Sequence, residues 1–111
     1  MKCANEGRIK AVQCWVLENL PHQHGVNALA GRAAMSVRHF TRVFREQTGM
    51  TPRVFVEEAR TSLAARLLAN SDMPLKRVAS RSGFLNVNVM RAAFMRQFGV
   101  GPQRYRLRAR A

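Results

Sequence analysis

Acidic side chains are scarce in this chain. Six Asp and Glu stand against nineteen Lys and Arg in 111 residues, a formal charge of +13. After Asp72 no acidic side chain follows at all. So one-sided a field attracts a polyanion. Lysine is scarce too: Lys2, Lys10 and Lys76 are the only ones, so sixteen of the cations are arginines. Cys3 and Cys14 are too few for a disulfide framework, and a reducing, cytoplasmic setting fits them best. No apolar run approaches the ~18 residues of a membrane span, and neither a signal peptide nor a membrane partner is expected. What remains is a chain with a hydrophobic fraction of 47%, enough for a core. Its length suits one compact domain or two very small ones.

Apolar residues recur at helical spacing nearly throughout. Ile9, Val12, Val16 and Leu20 form one stripe, stopped by Pro21. A loop, PHQHG, follows. Val26, Leu29, Ala30 and Ala33 indicate a short second helix. Ser36 is a good N-cap for a third, with Phe40, Val43 and Phe44 inward and Gly49 at its end. Thr51 and Pro52 restart the chain as cap and first helical residue. The fourth helix is long, with Phe55, Val56, Ala59, Leu63, Leu67 and Leu68 in its stripe. Pro74 opens a fifth, Asn86 caps a sixth closed by Gly99, and Pro102 begins a last short turn through Tyr105. No β-alternating segment competes. The expectation is an all-α fold of about seven helices. The tail RYRLRARA reads as frayed and basic, Trp15 as core or a docking surface, and Cys14 as a small buried hydrophobe.

Two stretches are nearly the same. FREQTGMTP (residues 44–52) and FMRQFGVGP (residues 94–102) both read F-x-x-Q-x-G-x-x-P, 50 residues apart. The register extends outward. Leu29 and Ala30 match Val78 and Ala79 at an offset of 49. From Ser36 and Asn86 onward the offset is 50, so one extra residue belongs to the second turn, around Ser82, Gly83 and Phe84. Each unit is a short helix, a tight turn, a longer capped helix and then Gly-x-x-Pro, the outline of a helix-turn-helix.

With Phe40, Val43 and Phe44 inward, the opposite face of the third helix is Arg38, Thr41, Arg42 and Arg45. An arginine fork pairs with guanine O6 and N7 or clamps a phosphate, and threonine can touch a base or its methyl. Helix N-termini favour phosphates, which suits Ser36 with Val37 and Asn86 with Val87. The second unit's matching face, Asn88, Arg91, Ala92 and Met95, is far less polar. Asn88 can bond adenine and Arg91 can reach guanine or phosphate. Val87, Ala92 and Met95 can touch thymine methyls or be passive.

These residues resemble the AraC/XylS family of bacterial transcription regulators. The first unit, LAGRAAMSVRHFTRVFREQTGMTPRVF, follows the family pattern of Leu-Ala, Met-Ser, Phe, Arg-x-Phe, Gly and Thr-Pro. ARTSLAARLL resembles its linker helix, and GFLNVNVMRAAFMRQFGVGPQRYR its second signature; the likeness covers residues 8 to 106. MSVRHFTRVFREQTGMTP is most similar to the branch that joins this module to an amidase-like (DJ-1/PfpI-like) N-terminal domain. The resemblance implies two helix-turn-helix subdomains, residues 1–50 and 71–111, joined by a linker helix over residues 51–70. It implies one recognition helix per unit in successive major grooves of double-stranded DNA. By position, Arg38, Thr41 and Arg42 are then base readers, and Val87, Asn88, Arg91 and Ala92 hold the corresponding places. Many members have arginine where this chain has Ala92, so weaker base readout is expected from the second unit. The resemblance further implies RNA polymerase as a candidate partner, a monomeric module and no cofactor.

Two other classes make different predictions. A basic protein that coats nucleic acid without reading sequence explains the charge but not the paired caps or the repeat. An enzyme would need Ser36 with His39, or Cys14 with His22 and His24, to find a third group that orients the pair, and none is evident. Two loop histidines likewise fall short of a metal's ligand set, so no metal site is expected.

Overall fold

Among the described residues the backbone forms seven helices, α1 (Lys2–Glu18), α2 (Val26–Arg32), α3 (Val37–Thr48), α4 (Pro52–Asn70), α5 (Leu75–Ser82), α6 (Val87–Phe98) and α7 (Pro102–Ala109). This computed structural model describes residues 2–22 and 25–111, with side chains from Glu6 onward. His24 lies outside the described residues, and so does the side chain of Cys3. Among the described residues there is no strand. The chain divides into two compact units, residues 1–56 and 57–111, with the boundary inside α4.

In unit 1, α3 packs on α1 and α2. The stripe of Ile9, Val12, Val16 and Leu20 is buried, and so are Leu29, Ala30, Phe40, Val43 and Phe44. Burying side chains of this size contributes about 1.5–3 kcal/mol each before chain entropy is counted. Cys14 is exposed, contrary to expectation. It stands two residues from both Val12 and Val16, and on a helix that spacing points to the far side. Trp15 is half-buried, with the Arg32 guanidinium stacked 3.8 Å over its ring.

In unit 2, α6 packs on α5 and α7. Ala64, Leu68, Val78, Ala79, Phe84, Met90, Ala93 and Phe94 form one buried cluster, with Tyr105 packed against it. The tail is not frayed. Helix α7 runs to Ala109, and its arginines reach back to where α4 ends. Arg106 donates from Nε to the Leu68 carbonyl at 3.1 Å and from a terminal nitrogen to the Met73 carbonyl at 2.6 Å. Arg110 bonds the Ser71 carbonyl at 3.3 Å and pairs with Asp72. These cations meet carbonyls at the negative end of a helix dipole, and the last turn of α4 has no basic residue of its own. The bonds hold Asp72 below the usual carboxylate range, first through the Arg110 hydrogen bond and then through its charge. Partial burial lowers the pKa of the Arg60 guanidinium.

The repeat is visible in the helix ends. Ser36 accepts from the His39 N–H at 3.2 Å, and Asn86 from the Val89 N–H at 2.9 Å. Gly49 and Gly99 close α3 and α6 in the left-handed region, at φ 79° and 75°. The two turns also match bond for bond. Met35 N–H donates to the Ala30 carbonyl at 3.0 Å, and Phe84 N–H to the Ala79 carbonyl at 2.9 Å. Ala34 and Gly83 hold the left-handed position between, at φ 56° and 91°. All of these pairs keep the offset of 49, whereas the caps Ser36 and Asn86 differ by 50. The extra residue is therefore Leu85, after the turn and not within Ser82, Gly83 and Phe84. It is 78% exposed.

Candidate nucleic-acid interface

Helix α3 presents one cationic face because its other face is fixed by three aromatic and apolar anchors. Phe40 packs on Phe44 at 5.6 Å, and Phe44 meets Phe55 edge-on at 5.5 Å. Such pairs add about 0.5–1.5 kcal/mol each beyond area burial. With the helix so turned, Arg38, Arg42 and Arg45 are exposed and Thr41 half-exposed. These four line one shallow depression together with Glu46. The structure thus gathers the sequence-expected readers of the first unit on one surface.

Arg42 is already held in place. Its guanidinium lies 3.4 Å from Glu46 and 3.0 Å from His39 Nδ1. Arginine only donates, so in this contact Nδ1 is the acceptor. An exposed pair of this kind is worth about 0–1 kcal/mol. It pre-orients the fork at little cost to breaking it. Sequence reasoning did not single out Glu46, although its position one turn after Arg42 is the signal for such a pair.

Helix α6 is set by the same frame. Phe94 meets Tyr105 edge-on at 5.6 Å, and Phe98 packs on Phe94 at 5.3 Å and on Tyr105 at 4.8 Å. Asn88, Arg91 and Ala92 are exposed. Val87 is half-buried and packed against the unit 2 cluster. Asn88 Oδ1 accepts from Arg91 at 3.0 Å. Arg96, at the position equivalent to Glu46, turns instead to Glu57, with 2.9 and 2.6 Å bonds to one carboxylate oxygen. That pair ties α6 to α4 within unit 2.

Ser36 and Asn86 sit at the helix N-termini as caps, and neither α3 nor α6 has an acidic residue in its first turn. The dipole's positive end is left without a local carboxylate, which suits an external anion. The Ser36 and His39 side chains serve different partners, and the pairing of Cys14 with His22 and His24 reaches outside the described residues, which omit His24. The Ser36 hydroxyl accepts the cap bond, while the His39 ring serves Arg42. Among the described residues no three His, Cys, Asp or Glu side chains gather as a metal site would need. Among them, too, no helix is long and apolar enough to cross a membrane.

A helix-turn-helix domain model matches residues 29–108. The chain belongs to the AraC family. Among its AraC-type relatives is the HTH-type transcriptional regulator Rv1931c of Mycobacterium tuberculosis, 43% identical over 75% of this chain and 32% of that protein. The RCS-specific HTH-type transcriptional activator RclR of Escherichia coli is 33% identical over 93% of this chain and 36% of its own length. The chain therefore spans about a third of the length of these curated relatives. In the solved structures, the DNA-binding domain of AdpA, a global transcriptional factor crystallised with a target DNA, matches at TM-score 0.89 and 41% identity over 92% of both chains.

Proposed function

We propose that this AraC-type module is a sequence-specific reader of double-stranded DNA that serves a transcription regulator. The observation that carries the reading is the doubled frame: two capped helices, each fixed by the same aromatic pair, each with its outer face free of core contacts. The 41% identical AdpA domain, solved with its target DNA, supports it. Arg38, Thr41, Arg42 and Arg45 are the base and phosphate contacts from α3. Asn88, Arg91 and Ala92 are those from α6, with Val87 at its edge. Ser36 and Val37, and Asn86, present first-turn N–H groups to phosphates.

Successive major grooves on one face of a duplex lie about 34 Å apart. We infer that α3 and α6 enter successive grooves, and that one chain suffices for an asymmetric site. If their separation falls short of a turn, the DNA must bend, at about 1–6 kcal/mol. The subdomain limits 1–50 and 71–111, with a linker over 51–70, belong to the same reading. So do a binding rather than catalytic role, a monomeric module, a cytoplasmic setting, RNA polymerase as protein partner and an amidase-like companion domain.

The experiment is selection of bound sequences from a random duplex pool, followed by a salt titration. Two unequal half-sites about one helical turn apart are expected. Contact with roughly six phosphates gives a log–log salt slope near −5. Equal affinity for all duplexes would instead assign the chain to non-specific coating of nucleic acid.

A further inference from the structure

Helix α6 carries apolar side chains where α3 carries polar and cationic ones. The offset of 50 pairs Arg45 with Met95, Arg42 with Ala92 and His39 with Val89. Met95 is 55% exposed and Val89 41%, and Ala92 is exposed on the arc between them. The polar groups nearby are engaged. Asn88 Oδ1 accepts from Arg91, and Arg96 is committed to Glu57. Leu85, the residue by which the second turn exceeds the first, adds an exposed leucine just before the Asn86 cap.

This ridge is apolar, but its surroundings are not. No acidic side chain follows Asp72, and Arg81, Arg91 and Arg96 are exposed around the helix. An apolar ridge in a cationic field fits an anionic partner that offers apolar groups. In a major groove the apolar group at a base edge is the C5-methyl of thymine.

We propose that α6 selects its half-site by packing Val89, Ala92 and Met95 against pyrimidine C5-methyl groups. The proposal rests on the DNA-binding reading above. On it, unit 1 reads hydrogen-bonding edges and unit 2 reads methyls.

The test uses the full chain and the duplex recovered by selection, with affinity followed by fluorescence anisotropy at fixed salt. Each thymine is replaced in turn by deoxyuridine. This deletes the methyl and keeps every hydrogen-bonding group. Losing one buried methyl is expected to weaken binding about three- to tenfold at one or two positions of the α6 half-site, and by less at every position of the α3 half-site, where Thr41 is the sole reader able to touch a methyl. In Met95→Gln and Ala92→Arg the uracil penalty is expected to vanish; both positions are exposed, so the fold is not at risk. A uracil-insensitive α6 half-site, or one selected without thymine, overturns the proposal while leaving sequence-specific binding intact. A penalty that persists in both variants assigns the effect to DNA shape and also overturns it. Absence of any sequence preference overturns the DNA-reading function itself.

Discussion

In unit 1 the ring pair is Phe44 on Phe55, 5.5 Å apart and 68° between planes; in unit 2 it is Phe94 on Tyr105, 5.6 Å and 80°. The helices these pairs hold present different outer surfaces. Three exposed arginines mark α3, and the same places in α6 are Asn88, Ala92 and Met95. The difference teaches that holding a helix and reading with it are chemically separate tasks here. The frame uses inward rings, caps and left-handed glycines, so the outward face can be rewritten without touching the fold.

The largest expected effect tests whether the two frames are equal. Phe44→Ala and Phe94→Ala should each destabilise by about 3–5 kcal/mol, since both rings are fully buried. Chemical denaturation measures both, and a large inequality would break the symmetry of the frames. Next comes the inequality of the readers. Arg42→Ala should weaken operator binding by about 1–3 kcal/mol and relax specificity at one base. Asn88→Ala should do less, because the outer face of α6 offers fewer polar readers beside it. Equal losses on one duplex would contradict the asymmetry.

A smaller effect concerns the turns. Ala34 pays for a left-handed conformation that Gly83 adopts freely. Ala34→Gly should raise stability by up to ~1 kcal/mol, and Gly83→Ala should lower it by ~1–2 kcal/mol. Thermal melts of the pair would show opposite signs. The smallest effect belongs to Asp72, whose carboxyl is held below its usual range by Arg110. Its contribution is present above the ordinary carboxylate pKa and is lost as pH falls through the lowered value. Asp72→Asn should therefore remove a slight acid sensitivity from unit 2, read as a smaller drop in melting temperature between pH 7 and pH 3.

Much of this was legible because it follows from period and punctuation. Ser36, Asn86, Gly49 and Gly99 cap the helices as their residue types require. The arginine face of α3 follows from knowing that Phe40, Val43 and Phe44 point inward. Cys14 departs from its expected burial because helical position, two residues from both Val12 and Val16, outweighs residue type. The place of the extra residue is not legible in the sequence, because only the backbone bonds of the two turns make Gly83 the partner of Ala34. Helix α7 was hidden for a different reason. RYRLRARA has almost no apolar stripe, and what holds it is arginine bonded to distant carbonyls, a pattern with no local period. The tie of Arg96 to Glu57 is equally beyond a reading of spacing, since its partners stand 39 residues apart.

The arginine clasp on the end of α4 bears on the order of events during synthesis. Its partners are separated by 33 to 39 residues. The carbonyls near Leu68 and Met73 are made long before Arg106 and Arg110 emerge to bond them, while unit 1 is complete once Phe55 and Val56 have joined α1 to α3. Domains fold as units, the N-terminal one first, so unit 2 should be the late finisher. A chain stopped at residue 105 is expected to stay open to proteases around residues 68–73 while α3 remains protected. Equal protection at both places would show that α4 stops itself.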